Sequence, residues 1–307
     1  MTNPPEQSDH GASQRREDDA YEWLVDEPML HEPILVVMLS GWIDAAGAAD
    51  AAADALSKEC ETSPILRFDA DTFIDFRARR PVMELRDGVN TDLVWSTIEL
   101  RAGRSSSGRD VLVLNGPEPD MAWHRFARVI SDLAVDLGVT KMVAFGAYPF
   151  AAPHTRTPRL SCSSPSTEVL ANVTFARSSV DVPAGMAASL EHALHARRIP
   201  TLGIWVQVPH YVVAMPYPAA SVALLDGLTE VTGIEVAATE LRAAVPKQRE
   251  RIDASIDGNA EHLGMLGQLE ELYDASIDGE VDDGPTIEMR SGDELADEIQ
   301  AFLRDQD

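Results

Sequence analysis

The chain has 307 residues, 45% of them hydrophobic, which is enough for one large domain plus an appendage, each with its own core. Its formal net charge of -26 excludes a general nucleic-acid surface, which needs Lys and Arg to neutralise phosphates, and argues equally against an anionic membrane. Cys60 and Cys162 form neither a Cys-x-x-Cys pair nor a disulfide framework, and no apolar run approaches the roughly 18 residues of a membrane helix, so a soluble, cytoplasmic protein is expected.

The opening stretch, residues 1–20, is polar and lacks the apolar segment of a signal peptide; it reads as a disordered tail ahead of a core domain over 21–240. Within that domain short apolar runs alternate with amphipathic stretches. The runs are "ILVVML" (34–39), "PILRF" (64–68), "DLVWSTIEL" (92–100), "DVLVLN" (110–115), "KMVAFGA" (141–147) and "TLGIWVQV" (201–208). This is the pattern of an α/β fold with a mostly parallel sheet buried on both faces. The stretch "FDADTFIDFRARRPVMELRDG" (68–88) breaks the alternation and predicts an irregular loop and a short strand pair turning at "RDG", so the sheet is expected to be mixed.

Trp123, Phe126, Ile130, Leu133, Ala134 and Leu137 recur at helical spacing and predict a helix over about 120–137, stopped by Gly138. A second helix is read from Met186, Leu190, Ala193 and Leu194, with Arg197 and Arg198 at its negative end and Pro200 beyond. Ala220, Leu224, Leu228 and Val231 mark a third. After about residue 240 the pattern is helical only. Ile252, Ile256, Leu263, Leu266, Leu269 and Tyr273 give a helical extension or helix pair over 241–276. An acidic linker (277–290) and a last helix (291–304) follow, the latter with Ser291 and Glu294 at capping-box spacing ahead of Leu295, Ile299 and Phe302. Half of the net negative charge falls in residues 246–307.

Parallel strands bring their C-terminal ends to one sheet edge, where ligands of open α/β folds bind. Four loops should converge there: "SGWIDAAG", "NGPEPDMAW", "YPFAAPHTRTP" and "PHYVVAMPYP". They carry the candidate residues Trp42, Asp44, Asn115, Glu118, Asp120, His154, Arg156, His210 and Tyr211, a set able in principle to transfer protons or hold a phosphate. Each also has a structural reading. Asp44 and Asp120 precede helices and read as N-caps; His154 and His210, beside prolines, read as hydrogen-bonded loop residues; Arg156 fits an anion or a salt bridge. Arg77, Arg79 and Arg80 could hold an anion at a subunit boundary or pair with Asp69, Asp71 and Asp75. The phosphate-loop, dinucleotide, nucleophile-elbow and zinc signatures are all missing, so no catalytic residue, metal or cofactor is assigned.

The pieces "GWIDAAGAADAAADAL", "FDADTFIDFRARRP", "NGPEPDMAW", "PHTRTP", "PAGMAASLEHALHARRIPTLGIWVQVPHYV" and "PYPAASVALLDGL", in this order, resemble the proteasome assembly chaperone family of the second type, in its long bacterial form. The resemblance implies a three-layer α/β/α sandwich similar to nucleoside phosphorylases, with the C-terminal helices as an appendage. It also implies a homo-oligomer, with a trimer expected, and protein partners. Relatives in that family engage the proteasome ring through a C-terminal tail bearing a hydrophobic residue and a tyrosine. This sequence ends "FLRDQD", so docking by such a tail is not expected. Two functional readings follow: a non-catalytic assembly-chaperone-like or scaffolding protein, and a nucleoside-phosphorylase-like hydrolase, transferase or small-molecule sensor with a pocket at the strand-end edge.

Overall fold

The computed structural model describes residues 20–277. In chain order the elements are β1 (Tyr21–Trp23), β2 (Ile34–Ser40), α1 (Ala48–Glu59), β3 (Ser63–Phe68), α2 (Ala70–Phe73), β4 (Val82–Arg86), β5 (Val89–Val94), β6 (Glu99–Arg104), β7 (Asp110–Pro117) and α3 (Trp123–Asp136). Then come β8 (Lys141–Phe150), β9 (Leu160–Ser163), α4 (Thr167–Ala171), α5 (Met186–Ala196), β10 (Thr201–Pro209), α6 (Pro218–Thr232), α7 (Thr239–Ile256) and α8 (Ala260–Ile277). Eight strands form one sheet in the order β1-β3-β6-β7-β2-β8-β10-β9. Its centre, β7-β2-β8-β10, is parallel, and β1, β3, β6 and β9 are antiparallel to their neighbours.

The central strands are apolar throughout because both faces of the sheet are covered. Along β2, Ile34, Val36 and Met38 point into the core with α1 and α6, while Leu35 and Val37 point into the core with α3 and α5. Each fully buried Leu or Ile of this kind stabilises the fold by roughly 1.5–3 kcal/mol. Small residues Ala48, Ala49, Ala52 and Ala53 bring α1 close to the sheet, and on the opposite side Phe73 packs edge to face on both Phe68 and Phe126, which are tilted against each other. Gly138, at φ +70°, ends α3 as its left-handed stop.

The expected three-layer sandwich with a mixed sheet and C-terminal helices is therefore the architecture. The strand pair turning at "RDG" is β4-β5, with Asp87 and Gly88 at φ 50° and 82°, the left-handed pair that a two-residue hairpin turn requires. The run read as one strand over 92–100 is instead divided: Val89–Val94 belongs to the projecting hairpin, whereas Glu99–Arg104 pairs with β3 and β7. Hydrophobicity alone could not place that break, since exposed Leu93, Val94 and Trp95 are as apolar as buried Ile98 and Leu100. The short edge strands β1 and β9 carry too little apolar patterning to be read. Expectations for the N-terminal tail over 1–19, and for the linker, the last helix and the C-terminus over 278–307, fall outside the described residues.

Candidate functional site

The parallel strands do bring the four loops to one edge, and α7 and α8 pack over part of it. His154 sits just past β8, where its ring is fully buried. Its backbone N-H donates to the Tyr211 hydroxyl at 2.8 Å, its Nδ1 is 2.8 Å from that same hydroxyl, and its Nε2 is 2.9 Å from Asp253 Oδ1 on α7. Burial pushes the Tyr211 hydroxyl up to about 12, which keeps it protonated as the donor in this chain. Arg156 donates through Nε and Nη2 to both carboxylate oxygens of Asp274 on α8, at 2.9 and 2.8 Å, and through Nη1 to Glu270 at 3.0 Å. The hydrogen bonds to Asp274, together with both negative charges, push the Arg156 guanidinium further up, and Asp274 is lowered in turn by Arg156. Arg159 adds a cation-π contact, 4.4 Å from the Tyr273 ring centre.

The remaining candidates form a second group around the ends of β2 and β7. Asp44 accepts from Ala49 N at 2.8 Å and Asp50 N at 3.1 Å, so its carboxylate satisfies the first turn of α1 as a cap does. Burial raises its pKa against those bonds. Asp120 does not cap α3, as the sequence suggests. The residue preceding α3 is Ala122, in a left-handed conformation with no side-chain cap, and Asp120 instead accepts from Asp75 N at 3.0 Å and from Arg79 Nε at 3.1 Å. Glu118 accepts from the first amide of α5, Met186 N, and burial raises its pKa. Of the arginine cluster, Arg79 is thus taken by Asp120, Arg77 lies 4.0 Å from its neighbour Asp75, and Arg80 has no ion-pair partner among the described residues. Asn115 is half-buried in β7. His210 is exposed, edge-on to Tyr211 at 5.3 Å.

Trp42, Glu118, Phe145, Ala187 and Trp205 surround a cavity of about 20 Å³, room for about one water molecule and far below the volume of a nucleoside. Among the described residues no group of three or more His, Cys, Asp or Glu is placed to hold a metal ion. The edge as it stands holds loops and helices together: His154 is sealed, Arg156 is satisfied twice, Asp44 and Glu118 accept from helix N-terminal amides, and Asp120 pairs with Arg79, while His210 stays exposed.

One chemically distinctive residue escaped the sequence reading. Glu191, on α5, is 5% exposed, accepts from Ser163 Oγ at 3.1 Å, and is pushed up by burial to about 7. The signal was present, since Ala187, Leu190, Glu191 and Leu194 share one helical stripe and a carboxylate among them must be buried. Asp253, Glu270 and Asp274, the partners of His154 and Arg156, gave no such signal.

A family model described as the PAC2 family matches residues 38–256. Among solved structures, a protein of unknown function from Corynebacterium glutamicum is 28% identical, with a TM-score of 0.78 over 84% of this chain and 98% of that one. The Mycobacterium tuberculosis protein Rv2714, also of unknown function, is 32% identical, with a TM-score of 0.76 over 84% of this chain and 92% of that one. Rv2125 of the same organism, described as a proteasome-assembly chaperone homologue, is 29% identical, with a TM-score of 0.71 over 77% of this chain and 99% of that one. No curated protein matches the chain.

Proposed function

We propose that this chain, which belongs to the PAC2 family, is a non-catalytic, self-associating protein of the assembly-chaperone or scaffolding type. The observation that carries the reading is the condition of the strand-end edge. His154 and Arg156 are held by Tyr211 and by acids of α7 and α8, Asp44, Glu118 and Asp120 are held by backbone amides and Arg79, and the cavity beside Trp42 and Glu118 admits about one water. The description of Rv2125 as a proteasome-assembly chaperone homologue supports the same direction.

The surface offered to partners lies elsewhere. The β4-β5 hairpin projects from the sheet with Val82, Met83, Leu85, Val89, Leu93 and Val94 all exposed, 66% for Val82 and 61% for Val89. A lone two-stranded hairpin is marginal in water, and an apolar ribbon solvated on both faces is a contact surface awaiting its other half. The proposed occupant is a second copy. For the trimer implied by the family resemblance, light scattering should give about 100 kDa, three times the 33.4 kDa chain. A cytoplasmic setting belongs to the same reading, supported by two cysteines that stay unpaired and by described helices none of which is long and apolar enough to cross a membrane.

The test joins mass and ligand response. Replacing His154, Arg156 and His210 by Ala should leave the oligomer mass and partner capture unchanged, whereas Leu85→Asp with Leu93→Asp should reduce the mass toward that of one chain. Thermal stabilisation by phosphate, nucleosides or nucleotides, about 2.7 kcal/mol for a ligand at 100 times its dissociation constant, would overturn the non-catalytic reading in favour of an enzyme or sensor.

A further inference from the structure

Helix α8 is gripped by one short stretch of loop, residues 155–159. Thr155 Oγ1 and Arg156 Nη1 both donate to Glu270, the latter at 3.0 Å, and Arg156 Nε and Nη2 take the two carboxylate oxygens of Asp274 at 2.9 and 2.8 Å. The Tyr273 hydroxyl donates to the Thr157 carbonyl at 2.7 Å, and Arg159 lies 4.4 Å from the Tyr273 ring centre while it donates to Ser276 Oγ at 2.7 Å. Glu270, Tyr273 and Asp274 stand at i, i+3 and i+4, so the loop meets a single helical face.

The grip is almost wholly polar. Among the described side chains of α8 only Leu269 is buried, and it belongs to neither of the two hydrophobic cores. The side chains of Arg156, Glu270 and Asp274 are 34%, 30% and 52% exposed, and ion pairs at such positions contribute roughly 0–1 kcal/mol each. The helix joins α7 through residues 257–259, where Gly258 turns the chain at φ +90°, and it begins beyond residue 256, where the family match ends. Both cores close without it.

The loop itself is fixed from the other side. Pro153 and Pro158 restrict its backbone, and buried His154 donates its backbone N-H to the Tyr211 hydroxyl and sets Nε2 2.9 Å from Asp253 on α7. The Arg159 carbonyl accepts from Gln207 N of β10 at 3.0 Å. Two arginines, with no acid between them, are therefore held in place whether or not α8 covers them.

We propose that residues 155–159 form a receptor for an acidic helix of a partner protein, and that α8 is its tethered competitor. The occupant is a helix with a carboxylate, an aromatic ring three positions on and a second carboxylate at the fourth. The Arg156 fork takes the carboxylates, and Arg159 takes the ring as a cation-π partner. This surface is separate from the β4-β5 hairpin, and its failure would leave self-association through that hairpin untouched.

The probe is a fluorescein-labelled peptide of residues 260–277, stapled across the exposed positions Gly264 and Gln268 because an isolated helix of this length is marginal in water. Fluorescence polarisation measures its affinity for the full chain, for the variant carrying Glu270→Ala and Asp274→Ala, and for that variant with Arg156→Ala added. A tethered helix competes at a millimolar effective concentration, so the double variant should bind the peptide about tenfold or more tighter than the parent, and Arg156→Ala should remove the gain. The double variant should also keep the main melting transition of the parent, since α8 adds to neither core. Equal affinity of parent and double variant, absence of binding by both included, would overturn the proposal, as would a gain that survives Arg156→Ala. Loss of the melting transition would overturn it too, by showing that α8 is part of the folded core.

Discussion

Glu191→Gln is the substitution whose outcome can be worked from the structure. The Glu191 carboxyl has an ordinary value of 4.5 and is raised by burial to about 7, so between these values the native chain holds a proton that the unfolded chain has released. The unfolded state then binds fewer protons, and the contribution to stability falls as pH rises from about 4.5 to 7. At about 1.4 kcal/mol per pH unit the loss comes to about 3 kcal/mol, an upper figure for a single buried group. Gln keeps the shape and the contact with Ser163 Oγ but never ionises. Urea unfolding of both chains at pH 5 and pH 8 isolates the effect, because every other titrating group cancels in the difference. The variant should exceed the parent by less than about 1 kcal/mol at pH 5 and by about 3 kcal/mol at pH 8. A difference that is the same at both pH values would refute the reasoning and mean that Glu191 is ionised or solvated throughout.

Further outcomes follow from the same geometry. His154→Ala should cost about 1–3 kcal/mol, because the half-buried Tyr211 hydroxyl keeps only the backbone N-H and loses the ring nitrogen, and Asp253 loses Nε2, without changing oligomer mass; calorimetry and light scattering together check both halves. The clamp of Arg156 on Asp274 and Glu270 is exposed and ionic, so proteolysis within α8 should accelerate in 1 M salt. It should accelerate also as pH falls through the depressed range of Asp274, where that carboxylate gains a proton and its share of the docking is lost. Gly146→Ala should lift the Trp205 ring from the sheet, red-shifting its fluorescence and costing about 1–3 kcal/mol by overpacking.

Much of the fold was legible because its signals are local. Runs such as "ILVVML" and "KMVAFGA" are apolar at every position only where a strand is covered on both faces, and the stripe from Trp123 to Leu137 is periodic because one side of α3 meets the sheet. The Asp87-Gly88 turn was legible for the same reason, since few residue pairs tolerate two successive left-handed conformations. The convergence of four loops at one edge followed from parallel topology alone.

What that edge does could not be read along the chain. His154 and Arg156 between two prolines look alike whether they wait for a substrate or grip a helix, and their partners Asp253, Glu270 and Asp274 lie 99 to 118 residues away. Only the tertiary structure brings those acids onto the loop, because ion pairing leaves no periodic trace in sequence and depends on where α7 and α8 return over the sheet. The sequence by itself determined the α/β class, the parallel centre buried on both faces and the helical pattern after about residue 240, which follow from hydrophobic periodicity, while the three-layer sandwich was what the family resemblance implied. The tertiary structure decided that His154 and Arg156 are held by partners from α7 and α8, that "DLVWSTIEL" breaks into an exposed and a buried half, and that a carboxylate on α5 is closed into the core.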